Sequence, residues 1–488
     1  MNARNMQREL VLGIVVVLGV LLVMSACGGQ ALEPPHPQEM EPPVANDGND
    51  ASDGNDVNNV NNAPDNNPTS TPVPETGTGG TGFETAQSAQ SRNLKPAIEQ
   101  GDKAELVSGN SQFAFDLLHF LEGDEGNLIY SPYSMSLALA MTYAGARGET
   151  AQQMADTLHF TLPQERLHPA FNALDLGLPG EESPGESGDE AEGLRLNIVN
   201  ALWGQRDYPF DGAFLDTLAE NYGAGLKLLD FIGAPDASRV VINDWVSEQT
   251  EGRIEDLLPE DTITVDTRLV LTNAIYFYGA WLSPFEEEAT VDDPFYLSDG
   301  SEVTVPMMNQ TGNFGYLAGE GFQAISLPYE GGTTAFVVML PDEGEFDTFA
   351  GSLDAGRLAT IRDGLQPQMV ALSLPRFEYK SEFNLNDTLV EMGMPLAFDP
   401  AQADFSGMVS QNDLPSLYIS DVVHKAFVKI DEQGTEAAAA TGVVVSLESA
   451  IVPTAQVTMR VDRPFFFAIV DQESGTILFV GEVLDPSA

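Results

Sequence analysis

The sequence predicts an α+β fold with large mixed sheets. Three observations lead there: helical patterns concentrate early in the folded region, short runs rich in branched and aromatic residues concentrate late, and no internal repeat divides the chain. The chain has 488 residues, 43% of them hydrophobic and 26 of them Phe, which is ample apolar material for a large core.

The elements follow in order. Phe113, Leu117, Leu118 and Leu121 recur at helical spacing and predict an amphipathic helix. Ser131-Pro132-Tyr133-Ser134 precedes an alanine-rich apolar stretch, Met135 to Ala146, which reads as a buried helix with Ser131 or Ser134 near its N-cap. Gly148-Glu149-Thr150 starts another helix. Strand character then takes over at Leu194 to Trp203, Thr267 to Tyr278, Ala335 to Leu340, Val370 to Leu374, Ala426 to Ile430 and Pro464 to Val470. Helical stretches at Val240 to Thr250 and Phe383 to Met392 interrupt them. Gly177 to Gly193, rich in Gly, Pro, Glu and Ser, reads as an exposed, solvated loop.

The N-terminus reads as an address. Arg4 and Arg8 precede an apolar run from Leu10 to Val23, too short for a comfortable membrane span, and then Met24-Ser25-Ala26-Cys27. This resembles the lipobox of bacterial lipoproteins, which implies a signal region over residues 1–27 that ends in the lipobox cysteine, removal of the signal ahead of it, and a lipid on Cys27 itself. The expected location is extracytoplasmic, membrane-anchored at the cell surface or in the periplasm, with simple secretion as the alternative. Cys27 is the single cysteine, so no intramolecular disulfide can form. Residues 28–97 are rich in Asn, Asp, Pro, Gly and Thr and predict a solvated tether, with the folded domain at 98–488.

The formal net charge is −53, from 74 acidic and 21 basic residues. Such a charge repels polyanions and opposes docking on anionic lipid, so nucleic acid is not an expected partner and any membrane contact must come from the lipid. The five His show no ligand spacing, and neither a G-x-S-x-G nor a phosphate-binding loop is present. The sequence therefore predicts no enzyme, no metal and no cofactor.

A set of motifs, in order over about residues 107–486, carries a family resemblance. Ser131-Pro132-x-Ser134 is followed by Tyr143-Ala144-Gly145-Ala146-Arg147-Gly148-Glu149-Thr150. Ile242-Asn243-x-Trp245-Val246, Thr250-x-Gly252-Arg253-Ile254 and Leu271-Thr272-Asn273-Ala274-Ile275-Tyr276-Phe277 with Trp281 come next. His424-Lys425-Ala426 then leads into Asp431-Glu432-Gln433-Gly434-Thr435-Glu436 and Ala437 to Thr441, and Asp462-Arg463-Pro464-Phe465 and Gly475 to Gly481 complete the series. Together they resemble the serpin family of serine protease inhibitors.

The resemblance implies a serpin fold: a large mixed central sheet, smaller sheets, about eight to nine helices and an exposed reactive loop near 432–460. It implies a suicide mechanism in which a protease cleaves the loop, the loop's N-terminal half inserts into the central sheet, and the acyl-enzyme is trapped. The hinge would comprise Glu432, Gly434, Thr435, Glu436, Ala437, Ala438, Ala439, Ala440 and Thr441. Its inward set, Thr435, Ala437, Ala439 and Thr441, is small and uncharged, as burial in a sheet demands. Gly442 weakens a strand interior and counts against fast insertion. The family's spacing puts the scissile bond between Glu448 and Ser449, favouring a glutamyl-directed enzyme; a shift towards Leu447 or Ala450 would favour chymotrypsin-like or elastase-like serine proteases, and a cysteine protease is a further partner class. Ser131, Ser134, Asn273 and His424 match the polar cluster under the sheet's opening point, and Trp281 with Glu432 matches the point where the loop goes in. A monomer without heparin is expected. The competing reading is a non-inhibitory serpin that binds or supports without inserting its loop.

Overall fold

A computed structural model describes residues 82–121, 126–178, 194–410, 415–435 and 457–488, all within the unit Thr71–Ala488. Cys27, most of the expected tether, residues 179–193 of the expected loop, and residues 436–456 lie outside the described residues. The last range holds Glu436, Ala437, Ala438, Ala439, Ala440, Thr441, Leu447, Glu448, Ser449 and Ala450.

The helices come early. A short strand, Glu84–Ala86 (β1), precedes the helix Asp102–Leu121 (α1), which buries the expected Phe113, Leu117, Leu118 and Leu121. Leu128–Tyr130 (β2) leads into Pro132–Tyr143 (α2). Ser131 is its N-cap: the hydroxyl accepts from the Ser134 N–H, and Pro132 takes the first turn, where a missing N–H costs nothing. Every residue of α2 is buried, so no polar face marked its ends, and it starts and stops three residues before the expected Met135 and Ala146. Gly148–Thr157 (α3) begins at the expected glycine, and Gln164–Asp175 (α4) follows.

Strand and helix then alternate through Arg195–Gln205 (β3), Gly212–Tyr222 (α5), Leu226–Leu229 (β4) and Pro235–Gln249 (α6). Helix α6 starts ahead of the expected Val240, at a proline whose fixed φ suits a first turn. The remaining elements are Leu269–Ala280 (β5), Val291–Tyr296 (β6), Glu302–Ala318 (β7), Phe322–Pro328 (β8), Thr334–Pro341 (β9), Phe346–Ala350 (α7), Ala355–Gly364 (α8), Gln366–Pro375 (β10), Phe377–Asn384 (β11), Asn386–Met392 (α9), Ile419–Ile430 (β12), Gly434–Thr435 (β13), Val457–Arg460 (β14), Phe465–Asp471 (β15) and Ile477–Val483 (β16). Phe383, expected at the start of a helix, belongs instead to β11. Phe377, Tyr379 and Ser381 bury at every second position, and the Asn384 side chain accepts from the Asn386 N–H to turn the chain into α9.

Nine α-helices and two large sheets make up the described residues. The central sheet runs β1-β4-β3-β5-β13-β12-β11 and is mixed: β5 pairs antiparallel with β3 but parallel with β12. The strands expected as smaller sheets join into one path, β14-β10-β7-β8-β9-β15-β16-β2. Long β7 links them by pairing with β6 through Glu302–Met307 and with β8 through Gly315–Ala318. One apolar core contains residues from both sheets and from α1, α2 and α4. A second, smaller core combines Ile242 and Val246 of α6 with Val270 and Ala274 of β5 and Val423 of β12.

The expected boundary at residue 97 moves. Strand β1 lies inside the stretch read as tether and adds an edge to the central sheet, Glu84 pairing with Leu228 and Ala86 with Leu226. Three residues are too few to display a strand period, so composition alone could not show them.

Candidate functional site

The site is the seam between β5 and β12. From Leu269 to Tyr276 and from Ile419 to Phe427 the two strands pair with each other in parallel. Above that zipper β13 lies between them, Thr435 opposite Gly279 on one side and Ile430 on the other, and Gly434 opposite Ala280. Gly434 has φ of 156°, and a Cβ there would come within 2.0 Å of the Gly279 carbonyl oxygen, so only glycine lets the chain enter at this point.

Trp281 and Glu432 hold the upper end. The Trp281 ring stacks on Tyr329 at 4.7 Å between centroids and meets Phe336 edge-on at 5.7 Å. Its Nε1–H donates to the Asp431 carbonyl at 3.0 Å and its backbone N–H to the Gln433 carbonyl at 2.8 Å. Glu432 is buried, accepting from the Thr290 hydroxyl at 2.7 Å and facing Arg376 Nη1 at 3.3 Å. The Thr435 side chain points inward, 1% exposed, with its hydroxyl 2.6 Å from the Tyr329 hydroxyl. Burial pushes the Tyr329 phenol far up, so it stays protonated and serves as an uncharged hydrogen-bonding group.

The lower end is closed by a polar cluster that unites Ser131, Ser134, Asn273 and His424, all buried. The Ser131 N–H donates to His424 Nε2 at 3.3 Å, which makes Nε2 the acceptor and leaves the proton on Nδ1, facing the Asn273 carbonyl oxygen. Burial drives the His424 pKa down to about 3, so the ring is neutral and holds this single tautomer. The Asn273 amide donates to Ser134 Oγ at 2.6 Å and to Asn200 Oδ1; Ser134 Oγ donates to Asn200 Oδ1 at 3.2 Å, and Asn200 Nδ2 donates to the Ser134 carbonyl at 3.0 Å. The cluster ties β5 and β12 to the start of α2 and to β3, and both ring nitrogens of its neutral imidazole are engaged within it.

Sequence reasoning therefore brought together both ends of the seam but missed four participants. Asn200 sits in β3 with no motif around it, Tyr329 was given no role, and Thr290 and Arg376 carried no signal. The expected hinge residues from Glu436 to Thr441 and the expected reactive bond lie outside the described residues. Among the described residues no group of three or more His, Cys, Asp or Glu could hold a metal ion, and no helix is long and apolar enough to cross a membrane.

Comparison with known proteins places these features in a family. The family model Serpin (serine protease inhibitor) matches residues 108–486. An uncharacterized serpin-like protein of Thermococcus kodakarensis is 39% identical over 389 residues, covering 80% of this chain and 88% of its own. The human leukocyte elastase inhibitor is 36% identical over 393 residues, covering 78% of this chain and 100% of its own. Among solved structures, the thermophilic serpin Tengpin in its native state superposes with a TM-score of 0.71 at 29% identity, over 81% of this chain and 97% of Tengpin.

Proposed function

The chain belongs to the serpin family, and on that premise we propose that it inhibits serine proteases by inserting its cleaved loop between β5 and β12. The observation that carries the proposal is β13, a strand already paired with both neighbours at the top of a seam that is zipped below.

The register extends downward without conflict. Continuing antiparallel from Thr435, Ala437 would face Phe277 and Val428, Ala439 would face Ile275 and Ala426, and Thr441 would face Asn273 and His424. The β5–β12 ladder gives the same pairs, Ile275 with Ala426 and Asn273 with His424, so one incoming strand satisfies both partners. It would be antiparallel to each, converting the parallel pairing, slightly less stable per residue, into two antiparallel ones. The inward positions 435, 437, 439 and 441 are small and uncharged, and the hydroxyl of Thr441 would meet the groups that His424 and Asn273 now offer each other.

Strand insertion on cleavage releases a stored state and carries the esterified protease with it. The proposed reactive bond is Glu448–Ser449, with Leu447 and Ala450 as the shifted alternatives, and the proposed targets are glutamyl-, chymotrypsin- or elastase-like enzymes, with a cysteine protease as a further class. Cys27 is the proposed lipid site, which would hold a monomeric inhibitor at the outer side of a membrane.

The experiment is to incubate the full chain with a panel of serine proteases of these specificities and run denaturing gels. A boiling-resistant band at the summed mass, with a new N-terminus at Ser449 by mass spectrometry, is expected. If every protease only clips the loop, the chain is a non-inhibitory serpin. Mass spectrometry of the N-terminal peptide from membrane extracts tests Cys27; an unmodified thiol there would refute the anchor.

A further inference from the structure

We infer that two adjoining cavities form one binding cleft for a small apolar amine, its charged head among carboxylates and its hydrocarbon body against apolar side chains. None of the described residues that line the cleft belongs to β5, β12 or β13, so the inference does not depend on loop insertion.

The first cavity, of about 400 Å³, lies where β11, the edge strand of the central sheet, meets β2 and β16 at the end of the second sheet. The second, of about 570 Å³, lies where the turn between β6 and β7, the turn between β9 and α7 and the segment entering β15 converge. Ser298, Phe346 and Asp347 line both, which makes the two continuous. Each has the size of a small-molecule site.

The walls are fixed from both sheets. Beside the first cavity the Tyr379 hydroxyl of β11 is held by the Leu128 and Glu482 carbonyl oxygens at 3.0 and 3.2 Å, and the Ile129 N–H donates to Ser381 Oγ at 2.9 Å. Beside the second, Phe346 stacks on Phe466 at 4.8 Å between centroids, and the Tyr296 N–H donates to the Asp462 carbonyl at 2.8 Å. A cleft held in this way is formed before a ligand arrives, so little ordering opposes binding.

Its chemistry divides along its length. Leu121 and Leu128, each 6% exposed, and the ring of Phe383 give the first cavity an apolar wall. The second collects the carboxylates of Asp342, Glu343 and Asp347 with the Tyr296 ring, which is 47% exposed. The bases nearby are already engaged. Arg463 bonds Asp462 at 3.1 Å and the Pro341 carbonyl at 2.9 Å, and Lys380 Nζ lies over the Phe427 ring at 5.6 Å. Two other carboxylates of the cleft have cations of their own, Asp462 from Arg460 at 3.0 Å and Glu382 from Lys425 at 3.0 Å. Among the described residues no cation pairs with Asp342, Glu343 or Asp347. Carboxylates beside aromatic faces attract an ammonium and repel an anion, and the apolar wall beyond them accepts the hydrocarbon to which the ammonium is joined.

The test is isothermal titration of the full chain with 4-phenylbutylamine, and with 4-phenylbutanol and 4-phenylbutanoate as neutral and anionic probes of the same length. The amine should bind saturably and roughly tenfold more tightly than the alcohol, the carboxylate should not bind, and added salt should weaken the amine alone. Asp347→Asn and Glu343→Gln, at exposed positions that leave the fold intact, should each bring the amine several-fold closer to the alcohol. Ser298→Arg, which sets a cation in the wall common to both cavities, should abolish amine binding. Equal affinity for the three probes, uptake of the amine without saturation, or amine binding unchanged in Asp347→Asn and Ser298→Arg would overturn the cleft.

Discussion

The two ends of the β5–β12 seam are built from different chemistry. The upper end is held open by aromatic stacking of Trp281, Tyr329 and Phe336 around Gly434 and Thr435, with Glu432 tied to Thr290 and Arg376. The lower end is held shut by amide, hydroxyl and imidazole groups that bond one another in a closed set. Apolar and aromatic contacts tolerate sliding, because dispersion is non-directional. Buried hydrogen bonds do not, because a group that loses its partner costs about 1–3 kcal/mol. The seam is therefore closed by different means above and below, and under the proposed insertion a strand arriving from above would replace the lower cluster's hydrogen bonds as it breaks them.

The comparison can be broken first at the top. Thr435→Arg puts a charge at a position that is buried between β5 and Tyr329, so the first inserted residue no longer fits. Complete loss of the boiling-resistant band, with the loop still cleaved, is expected on gels; retention of the band would mean that insertion does not begin at Thr435.

The lower cluster comes next. His424→Ala leaves the Ser131 N–H and the Asn273 carbonyl oxygen without their partner, and calorimetry should show the uncleaved form destabilised by about 2 kcal/mol or more. The variant should also convert faster to the inserted form. Unchanged melting and unchanged conversion would show that His424 does not hold the seam shut.

A smaller effect concerns pH. His424 has its pKa lowered to about 3 and His168 to about 4, both by burial, against about 6.5 in the unfolded chain. Both contribute stability that is present above about pH 6.5 and lost as pH falls towards those folded values. Asp421 on β12 is raised to about 6 by burial, so its contribution has the opposite sign, present below about pH 4 and lost as pH rises through 6. The parent should lose stability between pH 6.5 and 4, and Asp421→Asn should lose it more steeply. Equal slopes in denaturant melts would contradict this balance.

The smallest effect belongs to Arg376→Ala. The arginine is half exposed while Glu432 keeps its bond to Thr290, so a loss of at most about 1 kcal/mol is expected in the same melts. A larger loss would show that the ion pair, rather than the aromatic stack, holds the upper end.

Legibility from sequence followed local signal. Ser131, Ser134, Asn273 and His424 were readable through the motifs that carry the family resemblance, which implied their common place under the sheet. The fold class was readable because helical and strand periods separate along the chain. Asn200 was not, since a polar residue in a strand reads as solvent-facing until its neighbours are known. Phe83 and Arg92 were lost in a stretch whose composition suggests a tether, because residues 83–93 are held by scattered contacts to α4, α5, β4 and β3 that leave no period. Helix α2 hid its ends for the reverse reason, being buried all round.

The most direct test of the account is a crystal structure of the chain after cleavage in its loop. The account expects a new strand between β5 and β12, antiparallel to both, with Thr435 still opposite Gly279 and Thr441 flanked by Asn273 and His424. A cleaved protein in which Leu269–Tyr276 still pairs in parallel with Ile419–Phe427 would contradict it.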